Sequence, residues 1–113
     1  MIYNRTKKIR IADSYKLCKT VLSKSLGLMF TVKFRKPLIF VFSSHMIIPL
    51  HMFFVFYPID VLWLDSEKIV VELKKGFRPF SFFTPKRKAS YVIELKEGTI
   101  ASTETRVGDT IEF

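Results

Sequence analysis

Apolar residues in this chain fall into short runs broken by turn residues, and the period inside each run predicts its element. Ile59 to Leu64, then Asp65-Ser66-Glu67-Lys68, then Ile69 to Leu73 has the form of two strands around a four-residue turn. Ser90 to Leu95 predicts another strand, closed by Glu97-Gly98, and Thr110 to Phe113 a last one after the Gly108-Asp109 turn. Leu38 to Phe42, rich in Phe, Ile and Val, predicts a buried strand. Gly76 to Lys88, with Pro79 and Pro85, predicts an extended loop. One stretch has another period. Tyr15, Cys18, Val21 or Leu22, and Leu26 recur at helical spacing behind an Ala12-Asp13-Ser14 N-cap signal, which predicts an amphipathic helix ending near Gly27.

Short strands separated by turn signals, with one helix left over, predict a mainly β fold of sandwich or barrel type. The 113 residues suffice for one hydrophobic core and not for two. The expected organisation is a basic arm over residues 1–10 and a single β domain over residues 11–113.

From Pro37 to Ile59 the chain carries no formal charge for 23 residues, long enough to raise a membrane span. Pro49 and Pro58 would interrupt a helix there, Ser43-Ser44-His45 and His51 are polar, and the dominant residues favour strands. The stretch is therefore expected to be sheet in a water-soluble protein, with no transmembrane span.

Gly27-Leu28-Met29-Phe30, Leu38-Ile39-Phe40-Val41-Phe42, His51-Met52-Phe53-Phe54 and Pro58-Ile59-Asp60-Val61-Leu62-Trp63-Leu64-Asp65 together resemble the family named domain of unknown function 192. The resemblance continues through Ile69-Val70, Tyr91-Val92-Ile93-Glu94-Leu95, Gly98 and Gly108-Asp109, and covers about nine tenths of the chain in the family's order. It implies a compact β fold of jelly-roll or open barrel-like type with one short N-terminal helix, and no established activity. Where many members read Trp-Met-Lys-Asn this chain reads Leu50-His51-Met52-Phe53-Phe54, and where they often place a basic residue it has Thr31.

Charge adds the strongest asymmetry. Ten Lys or Arg and a single acid, Asp13, lie between Met1 and Lys36, so the whole net charge of +9 resides in the N-terminal third. Clustered cations attract phosphates through counterion release, which makes Arg5, Lys7, Lys8 and Arg10, with Lys33, Arg35 and Lys36, a candidate surface for nucleic acid or another polyanion. Lys86-Arg87-Lys88 would extend it. The same charges also serve as a solvated, solubilising face. The aromatics fall in apolar runs apart from the basic residues, so no base-stacking platform is expected. The lone Cys18 excludes a disulfide framework and the N-terminus has no apolar leader core, so a reducing, cytoplasmic address is expected. Glutamine is absent and Asn4 is the only asparagine, a bias that suits a thermophilic, archaeal-like source.

Asp60 and His51 are the polar residues set deepest in apolar sequence, and a carboxylate there must find donors or change its ionisation. A ligand pocket where Asp60, His51 and Glu94 converge would serve a noncatalytic binding module or, alternatively, an enzyme of unknown reaction. The plainer reading is that Asp60 accepts backbone N–H groups and organises a turn. His45 and His51 lack the companions of a metal site, Ser43 and Ser44 lack a nucleophile elbow, and the scarce glycines form no phosphate loop. No catalytic residue, metal or cofactor is expected.

Overall fold

The computed structural model describes residues 1–19, 33–52 and 55–113. The described strands are β1 (Ile2–Asn4), β2 (Ile9–Ala12), β3 (Lys16–Cys18), β4 (Leu38–Met46), β5 (Leu50–His51), β6 (Ile59–Leu64), β7 (Val70–Phe77), β8 (Phe82–Phe83), β9 (Ala89–Lys96) and β10 (Ile111–Glu112), and a short helix, α1, spans Thr99–Ser102.

A five-stranded sheet in the order β3-β4-β9-β6-β7 forms the centre. All six residues of β6 are buried, because both faces of the sheet are covered. On one face Val61 and Trp63 join Cys18, Leu38, Phe40 and Val92, and the two-stranded β5–β8 ribbon lies over them through Leu50 and Phe83. Trp63 Nε1 donates to the Ile48 carbonyl at 2.9 Å, so the largest core side chain also has its polar edge satisfied. On the other face Leu62 and Leu64 join Ile39, Ile93 and Leu95, covered by Ile2 and Ile111 from the three-stranded β10-β1-β2 sheet and by Ile100 from α1.

The hairpin expected over Ile59 to Leu73 is β6–β7. Asp65 Oδ1 accepts the N–H groups of Glu67 and Ile69 at 2.9 and 3.0 Å, and Lys68 takes the left-handed conformation that lets the turn close. The strands expected near Leu38, Ser90 and Thr110 are β4, β9 and β10. Within the loop expected from Gly76 to Lys88, Phe82–Phe83 forms β8.

One expectation needs correction. The N-terminal helix does not start where the periodicity placed it. Lys16, Leu17 and Cys18 form β3, which pairs in parallel with Leu38, Ile39 and Phe40. Tyr15 packs on one face of the sheet and Cys18 on the other, so the stripe that suggested a helix divides between two cores. Positions 20–27 of that expected helix lie outside the described residues, and the described helix is α1, near the C-terminus. Among the described residues the central sheet does not close into a barrel, with β3 and β7 as its open edges. The segment read as an arm holds β1 and the first two residues of β2, with Ile2 and Asn4 buried.

The uncharged stretch from Pro37 to Ile59 contributes β4, β5 and the first residue of β6. Among the described residues no helix is long and apolar enough to cross a membrane.

Candidate functional site

Asp60 sits where β7 is bulged. The register passes from Ile59 opposite Phe77 to Val61 opposite Lys74, so Lys75 and Gly76 together face Asp60. Gly76 takes φ 58, the left-handed region that favours glycine, and its N–H donates to Asp60 Oδ1 at 3.0 Å. The N–H of Ile100 donates to Asp60 Oδ2 at 2.9 Å. Gly98, before α1, has no side chain to cap the helix, and Asp60 supplies that acceptor from the neighbouring sheet. Both carboxylate oxygens are thus committed to backbone amides.

Glu94 has the opposite circumstances. It is paired across strands with Leu38 and Val61, on the face that holds Val92 and Trp63, whereas Asp60 projects from the other face. Only 7% of Glu94 is exposed, and no hydrogen bond joins its carboxyl to another described residue; its oxygens keep some solvent contact, since no fully buried side-chain oxygen among the described residues lacks a partner. One cross-sheet row runs Lys16, Leu38, Glu94, Val61, Lys74 over β3, β4, β9, β6 and β7. Each lysine is two strands from the carboxyl, and neither forms an ion pair with it. Burial without a neutralising partner pushes the Glu94 carboxyl up to about 8, so it is mostly neutral at pH 7. Cys18 lies on the same face. Burial pushes its thiol up, Lys16 opposes the shift and Glu94 adds to it, which leaves a protonated, poorly nucleophilic sulfur at neutral pH.

His51 is exposed on β5, opposite Phe82, in the ribbon rather than in the central sheet. His51, Asp60 and Glu94 are therefore in three different surroundings and do not converge. His45 Nδ1 lies 3.3 Å from Ser90 Oγ. Among the described residues no cluster of His, Cys, Asp and Glu could hold a metal ion.

The basic residues divide into two groups. Lys7 Nζ donates to both oxygens of the buried Asp109 at 3.0 Å, Arg5 pairs with Glu112 at 3.6 Å, and Arg10 with Asp13 at 2.8 Å. Lys8, Lys33, Arg35 and Lys36 are exposed and form no ion pair with a described residue.

Sequence reasoning passed over the polar cluster around Asp109. Buried Asn4 donates to Asp109 Oδ2 at 3.0 Å and to Thr105 Oγ1 at 3.1 Å, and Arg106 N–H donates to the same carboxylate at 3.0 Å. Burial opposes the ionised form of Asp109, but the hydrogen bonds from Asn4, Arg106 and Lys7, with the Lys7 charge, outweigh it and hold the carboxyl below its ordinary value. The Gly108-Asp109 turn was a visible signal; its partners lie about a hundred positions away, which no local pattern encodes.

Residues 3–113 match the family described as Uncharacterized ACR, domain of unknown function 192. A UPF0127 protein of Thermococcus sibiricus is 36% identical, over 100% of this chain and 74% of its own length. A UPF0127 protein of Pyrococcus abyssi is 32% identical, over 100% of this chain and 97% of its own. A crystal structure of a protein of unknown function from Novosphingobium aromaticivorans superposes with a TM-score of 0.86 at 18% identity, covering 99% of this chain and 82% of that one. That likeness is one of fold. The archaeal thermophiles among the relatives accord with the glutamine-free composition.

Proposed function

This chain belongs to the domain of unknown function 192 family, and on that premise we propose that it is a noncatalytic binding module whose recognition group is the Glu94 carboxyl. The observation that carries the reading is a carboxyl that is 7% exposed and has no described partner, standing on an apolar, aromatic-rich face. Among the described residues no fully buried side-chain oxygen lacks a partner, so the Glu94 oxygens keep some solvent contact, and a ligand that meets them there would satisfy a carboxyl the protein leaves without a hydrogen bond. A mostly neutral carboxyl flanked by Leu38 and Val61 suits a small uncharged ligand with an apolar body and a carbonyl or amide that accepts the Glu94 O–H. The enzyme reading through Asp60 and His51 loses support, since Asp60 is fully used by the backbone and His51 stands in another sheet.

The test is a thermal-shift screen of neutral amide- and carbonyl-bearing compounds at pH 6 and pH 9.5. Ligands of this site raise the melting temperature at pH 6, lose much of the effect at pH 9.5, where the carboxyl ionises, and lose it altogether in Glu94→Leu. Hits that stabilise Glu94→Leu as well as the parent, or no hits, would overturn the assignment.

A further inference from the structure

Six cations and no acid lie between Leu73 and Ile93, namely Lys74, Lys75, Arg78, Lys86, Arg87 and Lys88. The same region holds rings that the fold does not bury. Phe82 is 74% exposed, Phe56 53% and Phe80 52%. They are grouped rather than scattered, which is what separates a contact surface from ordinary apolar exposure. Phe56 and Phe80 meet edge to face with centroids 5.6 Å apart. Phe82 lies on the outer side of β8, opposite His51, while Phe83 turns inward to within 5.5 Å of the Trp63 ring. Phe80 holds φ 58, a costly conformation for a side chain of that size, and its N–H donates to the Met52 carbonyl at 2.7 Å. The turn therefore holds the ring outward at a cost in strain. In the other direction Tyr57, next to Phe56, contacts the Phe34 ring at 6.3 Å, and Phe34 sits between the exposed cations Lys33 and Arg35.

We propose that this aromatic ridge docks on an anionic lipid surface. Phe56, Phe80 and Phe82 enter the interfacial layer, and the exposed cations next to these segments in the chain, Lys33, Arg35 and Lys36 around Phe34 and Arg78 with Lys86 to Lys88 around Phe80 and Phe82, meet lipid phosphates. Exposed apolar groups bounded by cations are the combination such a surface selects. Lipid fits better than single-stranded nucleic acid because stacking on bases needs open ring faces. In the Phe56–Phe80 pair the edge of one ring covers a face of the other, which narrows the surface open to bases. Interfacial insertion requires only exposed apolar atoms, and all three rings supply them. The ridge stands on the outer side of the ribbon that covers the Glu94 face, and it makes no use of Glu94 itself.

Co-sedimentation of the full chain with phosphatidylglycerol-containing vesicles, pure phosphatidylcholine vesicles and an oligouridine tests this directly. The expected result is binding to the anionic vesicles at least tenfold tighter than to phosphatidylcholine, weakened by salt. Phe56→Ser with Phe82→Ser lowers that binding at least tenfold while the melting temperature is kept, because both rings are exposed. Replacing Lys86, Arg87 and Lys88 by Ser lowers it and flattens the salt dependence. Three results overturn the proposal: no vesicle binding, vesicle binding indifferent to the two phenylalanine changes, or oligouridine binding lost in Phe82→Ser without vesicle binding.

Discussion

Asp60 Oδ2 accepts the N–H of Ile100 at 2.9 Å, a bond that ties the start of β6 to α1 across 40 residues of chain. With the Gly76 N–H on its other oxygen, Asp60 joins three elements that share no local sequence signal. Removing it leaves two amides without their acceptor, that of Ile100 buried and that of Gly76 partly so. Hydrogen bonds to a charged group contribute about 1.5–3 kcal/mol each, so Asp60→Ala should lower unfolding free energy by roughly 3 kcal/mol or more. Urea denaturation measures this, and Asp60→Asn, which keeps one acceptor, should lose less.

Gly76→Ala should cost about 1–3 kcal/mol, chiefly because a left-handed backbone is strained once a Cβ is present. The added atom would also stand 3.3 Å from Glu97 Oε2, the end of a flexible, exposed side chain that can move aside. The same substitution at Gly98, where no atom lies within 4 Å of the new Cβ, carries the backbone strain alone, so comparing the two separates the causes.

Lys7→Met should make the protein more sensitive to acid. Asp109 is held below its ordinary value, so its contribution is full above the unfolded carboxyl range and disappears as pH falls through the lower folded value. Without the Lys7 ammonium that folded value rises, and the loss should begin at higher pH. Stability followed from pH 6 down to pH 2 should show the midpoint of the acid limb displaced upward.

Glu94 predicts the reverse slope on the alkaline side. Its carboxyl is raised from 4.5 to about 8 by burial, so between those values the folded chain holds a proton that the unfolded chain has released. Stability should therefore fall as pH rises through that window, by an amount on the order of a few kcal/mol, and level off above it. Glu94→Gln should remove the slope and exceed the parent in stability at pH 9. A flat parent profile from pH 5 to 8 would contradict the burial argument.

The hairpin from Ile59 to Leu73 was legible because its determinants are local. Alternating or continuous apolar residues set the strands, and Asp65 closes the turn on its own amides two and four positions on. The strands of β4, β9 and β10 were legible for the same reason. The helix expected from Asp13 was misread because Tyr15 and Cys18 satisfy a helical interval equally well when they face opposite sides of a sheet, and only pairing with Leu38 and Phe40 distinguishes the two. Asp60 and Glu94 looked alike in sequence, each an acid among apolar neighbours.

By itself, then, the sequence determined a mainly β chain with these turns, an uncharged middle and an excess of positive charge, since each depends on residues near one another along the backbone. The tertiary structure alone decided that Asp60 is spent on two amides while Glu94 is buried on the opposite face of the sheet, and that Lys7 serves Asp109 rather than the surrounding solvent. The physical reason is that a carboxyl's state depends on which donors reach it through space. Strand register and bulges bring those donors in from distant parts of the chain.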